Sequence, residues 1–330
     1  MAFNMVKYVA CAALRGVVLL FFISVVVFAL VNISPIDPVS AYLGAHDGGV
    51  SPEQRQEVIE YWGLDKPILE RYGIWLSSVV FRGDWGMSSI YRQPVIKVVG
   101  ELFKASLTLM GISWLLSGIL SFALGVIAAV KKGTWIDKVI KAVCIALAST
   151  PSFWVGMVLI LVFAVWLGVL PSGLSAPATK LAADVTLWDR ARHLILPVIA
   201  LSVNGMGYIV LHTREKLIKS FESDYSLFAK ARGEKKWSII RRHNIRNVLL
   251  PAITLQFASI SELFGGSAFV ETVFSYPGLA QAAVNAGLRS DIQLLAAIAI
   301  FATIFIYAGN IIADILYVIV DPQIREGYHA

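Results

Sequence analysis

Residues 224–251 read DYSLFAKARGEKKWSIIRRHNIRNVLLP. Lys230, Arg232, Lys235, Lys236, Arg241, Arg242 and Arg246 are opposed here only by Asp224 and Glu234. This basic, helix-prone stretch lies between long apolar runs. In such a chain it marks the cytoplasmic side of a membrane and offers a water-facing surface to a partner. The surrounding composition agrees. Of 330 residues, 57% are hydrophobic and 15% charged, against roughly 25% charged in soluble domains, and the mean hydropathy is +0.72. A net charge of +6 does not argue for nucleic acid, because basic loops are the default of membrane chains.

The apolar runs give about six spans of the required length. They are 17–33, 103–130, 139–167, 194–211, 248–270 and 292–320. Pro151 falls in the middle of the third, where it removes a backbone donor and predicts a kink or a division. The first run is followed by Asn32-Ile33-Ser34-Pro35 without an Ala-x-Ala site, which favours a retained helix over a signal peptide. Lys131, Lys132 and Lys138 lie between spans two and three, and Arg214, Lys216, Lys219 and the opening segment between spans four and five. Both loops fall on the N-terminal side, so the N- and C-termini are expected in the cytoplasm. The chain then divides into an N-terminus with the first helix (1–33), an extracytoplasmic loop subdomain (34–97), a transmembrane core (98–320, with the basic segment at 221–247) and a cytoplasmic tail (321–330). In the loop, Trp62, Leu64, Ile68, Tyr72, Trp75 and Leu76 can pack as a small cap.

Chemistry-bearing motifs are absent. The sequence has no GxxxxGK[ST] phosphate loop, no GxSxG and no HExxH. Cys11 and Cys144 have no metal spacing, and the five histidines show no HxxxH pair. No enzyme activity and no metal site are expected. Candidate pathway residues are Ser261 and Glu262 in the fifth span and Asp314 in the sixth. An ionisable group at that depth faces the bundle interior or a water-filled cavity. Each has a structural alternative: Glu262 as a packing carboxyl, and Asp314 with Asn310, one turn apart, as a polar clasp. The basic segment has three readings: a solvated loop, a lipid-headgroup surface, or a docking element. For docking, the small residues Ala229, Ala231 and Gly233 would let a partner approach, and Phe228 and Trp237 would anchor it.

The same segment resembles the coupling motif of ABC-importer permeases. In the peptide/nickel branch this motif reads Ala-x-Ala-x-Gly, then Arg-His-x-x-Arg-Asn-x-Leu-x-Pro. Ala229, Ala231, Gly233, Arg242-His243, Arg246-Asn247, Leu249 and Pro251 stand at those places. Further matches follow in order: Asp37-Pro38, Gly63-Leu64-Asp65-Lys66-Pro67, Gly83-Asp84-Trp85-Gly86, Pro151-Ser152-Phe153-Trp154, Leu170-Pro171, Glu271-Thr272-Val273-Phe274-Ser275-Tyr276-Pro277-Gly278 and Asp321-Pro322-Gln323-Ile324-Arg325. Gln323 departs from the family's arginine.

The resemblance implies an all-α, type I importer permease of a bacterial inner membrane, forming half of a pore. It implies a second homologous permease, two ABC ATPases that bind the ATP and Mg, and an extracytoplasmic substrate-binding protein, with no cofactor in this chain. Phe228, Ala229, Lys230, Ala231, Arg232 and Gly233 would form the ATPase contact. Di- and oligopeptides are the expected cargo. Ser261-Glu262-Leu263-Phe264-Gly265-Gly266 resembles a stretch of nickel-type members, which keeps nickel as the alternative. An ion-coupled carrier using Glu262 and Asp314 is the more distant one.

Overall fold

The computed structural model describes residues 2–33, 39, 51–62, 65–203, 205–289 and 291–320. Asp37-Pro38, Gly63-Leu64, the Asp321–Arg325 motif and the tail 321–330 lie outside the described residues. Where described, the elements are helical. They are α1 (Ala2–Ile33), α2 (Pro52–Trp62), α3 (Ile68–Ser77), α4 (Val95–Val130), α5 (Trp135–Ala148), α6 (Ser152–Leu159), α7 (Leu187–Ser202), α8 (Met206–Phe221), α9 (Asp224–Ala231), α10 (Lys236–Ile239), α11 (Ile245–Ala258), α12 (Ile260–Val273), α13 (Leu279–Leu288) and α14 (Ile292–Val320). α6 continues as a wider π-turn to Trp166, and residues 240–244 form another between α10 and α11.

By length and composition, α1, α4 and α14 can each cross a membrane alone. The other three expected spans are bent pairs. Pro151 does more than kink the third: α5 and α6 meet at 108°. The fourth bends by 58° between α7 and α8, and the fifth by 49° between α11 and α12. Ser259 separates α11 from α12, and left-handed Gly205 opens α8. Neither break was foreseen, and neither was the short helix α13.

The chain forms two compact units. One comprises Met1–Ser106 and Pro277–Tyr307, the other Leu107–Tyr276 and Ala308–Ala330. The boundaries fall inside α4 and α14.

In the first unit, Val95, Val98, Val99 and Leu102 of α4 pack on Leu279, Ala282 and Ala286 of α13 and on Leu294, Ala297 and Ile298 of α14. The loop before α4 is locked to the start of α14. Buried Asp291 accepts hydrogen bonds from Ser88 Oγ (2.5 Å), Ile90 N (3.1 Å) and Leu294 N (3.1 Å). Beside it, Met87 N donates to Gln293 Oε1 at 2.8 Å. This explains Gly86: its φ is +80° and a Cβ would collide with the Gln293 amide. Gly86→Ala is therefore expected to lose about 1–3 kcal/mol, seen as a lower thermal midpoint of the detergent-purified protein. Tyr72 and Trp75 of α3 pack on Phe28 of α1, with ring centroids 5.3 and 5.8 Å away, and Tyr72 OH lies 2.7 Å from Ser24 Oγ. Of the other expected cap residues, Ile68 is exposed and Leu76 half-buried, and the side chains of Trp62 and Leu64 lie outside those described.

In the second unit, α4 and α11 are clasped. Trp114 Nε1 donates to Gln256 O at 2.8 Å, and Gln256 Nε2 returns a bond to Trp114 O at 2.7 Å. The Trp114 ring also meets Phe257 edge-on at 4.8 Å. At one end of these helices, Ala129, Leu217 and Val248 join α4, α8 and α11, with Phe122, Val126, Ile218 and Phe221 packed around them.

Candidate functional site

The segment 223–247 lies in the chain between Leu217 and Val248 of this apolar cluster. α9 has only eight residues, so propensity alone cannot hold it. Its start is favoured by Asp224 in the first turn, against the positive end of the helix dipole. Its end is a Schellman motif. Gly233 N donates to Lys230 O at 3.0 Å, Glu234 N donates to Ala229 O at 3.1 Å, and Gly233 takes φ +82°. Glycine is required there by backbone conformation, since space around a Cβ would be open.

Ser226 and Ala229, three residues apart, make the inner face of α9, each 3% exposed. This corrects the expected role of Ala229: its methyl packs inside the chain and cannot receive a partner. Leu227, Phe228, Lys230, Ala231, Arg232 and Gly233 are exposed, Phe228 to 66%. An exposed aromatic side chain thus precedes two exposed cations, Lys230 and Arg232, at the end of the helix. Trp237 is also exposed, one residue beyond Lys236. Lys236 Nζ donates to Val130 O at 2.6 Å, capping the last turn of α4, and lies 5.2 Å from the Phe221 ring. Glu234 accepts from Ser238 Oγ at 3.1 Å and faces His243 Nε2 at 3.4 Å. Partial desolvation pushes the Glu234 carboxyl up, but these hydrogen bonds and the nearby Arg242 charge outweigh it, leaving the carboxyl below its ordinary range.

The polar residues that hold this segment are ones the sequence reading passed over: Ser220, Ser226 and Asn244, all buried. Asp137 and Arg214 were missed as a pair, Arg214 having counted only as a loop charge. Arg214 Nε and Nη2 reach the two Asp137 oxygens at 2.6 and 2.7 Å, a bidentate pair between α8 and α5. Gly133 N adds a bond to Asp137 at 2.9 Å. Charge alternation between distant loops carries no pairing information, so only the fold reveals them.

Of the pathway candidates, Ser261 Oγ donates to Asn310 Oδ1 at 2.5 Å, so the expected clasp between the fifth and sixth spans forms through Asn310. Glu262 is exposed on the single chain, close to the α7–α8 break: a Cβ at Gly205 would lie 3.5 Å from its Oε2. Asp314 is exposed one turn after Asn310.

Comparison with known proteins bears on the family. Residues 121–326 match the family model described as binding-protein-dependent transport system inner membrane component, and residues 5–108 match the model for its N-terminal part. The oligopeptide transport system permease protein AppB of Bacillus subtilis is 32% identical over 322 residues, covering 97% of this chain and 100% of that protein. The glutathione transport system permease protein GsiC of Escherichia coli is 32% identical over 326 residues, covering 97% and 99%. A solved inward-facing structure of the MetNI methionine ABC transporter aligns with a TM-score of 0.47 at 16% identity, over 67% of this chain and 97% of that one. With helical spans throughout and both family models matched, the chain belongs to the family of binding-protein-dependent transport system inner membrane components.

Proposed function

We propose that this chain is a permease subunit of an ATP-driven peptide importer. It forms half of the pore with a second homologous permease, and it performs no bond chemistry itself. Two separate ATPases bind the ATP and Mg, and an extracytoplasmic binding protein delivers the peptide. The observation that carries the assembly is the exposure of Phe228, Lys230, Ala231, Arg232 and Gly233 at the capped end of α9, formed at the family's coupling motif. Peptide is favoured over nickel because relatives matched over nearly the whole chain are named for oligopeptide and glutathione transport. The basic segment lies on the cytoplasmic side with both termini. Closure of the ATPase pair on ATP would favour one pore conformation by binding it more tightly. Glu262, Ser261 and Asp314 are assigned to the pathway that the second permease completes.

Reconstitution tests this reading. Proteoliposomes with both permeases, the ATPases and the binding protein should take up a radiolabelled tripeptide only with ATP. Mass spectrometry and metal analysis of the native binding protein should find peptide. Ion-gradient-driven flux through this chain alone would defeat the proposal, and nickel on the binding protein would defeat its cargo.

A further inference from the structure

A buried polar joint lies behind α9. Ser226 Oγ is 2.7 Å from Ser220 O and 2.9 Å from the Asn244 side-chain amide oxygen as placed. A hydroxyl has one proton. With that proton on Ser220 O, the amide must turn its NH2 to Ser226, which also gives a partner to an otherwise unsatisfied buried Asn244 nitrogen. Tyr225 OH lies 2.7 Å from Ser220 Oγ and accepts from Asn247 Nδ2 at 3.3 Å. Ser223 Oγ also donates to Ser220 O, at 2.5 Å. The last turn of α8, the inner face of α9 and the π-turn leading into α11 therefore meet in one directional network. Asn244 is fully buried. Apolar contacts tolerate sliding, whereas buried hydrogen bonds fix distance and angle.

We infer that Ser226 and Asn244 are positioning residues that pass a displacement of α9 to the fourth and fifth spans. This rests on the reading of residues 228–233 as an ATPase contact. The ATPase touches the outer face of α9, and these two side chains tie its inner face to both helices at once. Neither belongs to the docking surface, so their loss should leave assembly intact and uncouple hydrolysis from transport.

The experiment uses the full transporter in proteoliposomes and compares Ser226→Ala, Asn244→Ala and the double variant. It reads recovered complex, ATP hydrolysis, and tripeptide uptake per ATP. Complex and hydrolysis are expected near wild type, with uptake per ATP down about tenfold, the scale of one buried hydrogen bond. The double variant should be no worse than Ser226→Ala, since that change alone already removes the link to Asn244. Asn244→Leu, close in size but without hydrogen-bonding groups, repeats the test if the alanine cavity costs the fold. Unchanged uptake per ATP, or multiplicative losses in the double variant, would overturn the inference. So would loss of the complex in the alanine and leucine variants alike. Failure of the docking reading is separable, because a docking-face variant loses the ATPases from the complex instead.

Discussion

Asp137→Ala is expected to destabilise the protein by about 3 kcal/mol, the lower end of the range for breaking a buried ion pair. Asp137 is 1% exposed. Removing its carboxylate strands the Arg214 guanidinium and leaves Gly133 N without its acceptor. The lower end applies because the Arg214 side chain keeps 18% exposure and can reach some water. Adding Arg214→Met should recover much of the loss, since an apolar side chain leaves no charge to desolvate. The measurement is a thermal or denaturant midpoint of the purified chain for wild type, both single variants and the pair. A double variant as damaged as the sum of the singles would show that the two residues act apart.

Gly233→Glu is expected to abolish recovery of the ATPases with this chain while membrane insertion persists. Two costs combine. The backbone at φ +82° disfavours an L-residue by roughly 1–2 kcal/mol, and a carboxylate enters a surface made positive by Lys230 and Arg232. Gly233→Asn separates these costs, because asparagine tolerates the left-handed region. If backbone geometry alone matters, the asparagine variant retains the ATPases. If the surface must be bare, it also loses them. Both variants retaining full assembly and uptake would remove this turn from the contact. Co-purification of tagged ATPase with the permease reads all of these outcomes.

Much of the helical plan was legible because each span must satisfy its backbone within itself, which forces long apolar runs. Pro151 announced its break through a missing N–H. The breaks at Ser259 and near Gly205 had no such mark, because they arise from local backbone conformation and contacts with other helices. The basic segment was legible by motif, but only in part by physics. Gly233 was read as room for a partner, whereas its backbone angle already demands glycine. Ala229 was read as surface, whereas three-residue spacing with Ser226 turns it inward. Ser226 and Asn244 were invisible because a serine or asparagine in a polar loop looks solvated until the loop folds back on its helices.

The brevity of α9 bears on biogenesis. Eight residues do not sustain a helix in water, so the element takes shape only against Ser220 before it and Asn244 after it. The ribosome must pass Asn244, at the entry to the fifth span, before that support exists. An ATPase that recognises α9 would therefore bind only chains in which both flanking helices have already packed, and recruitment would double as a check on maturation.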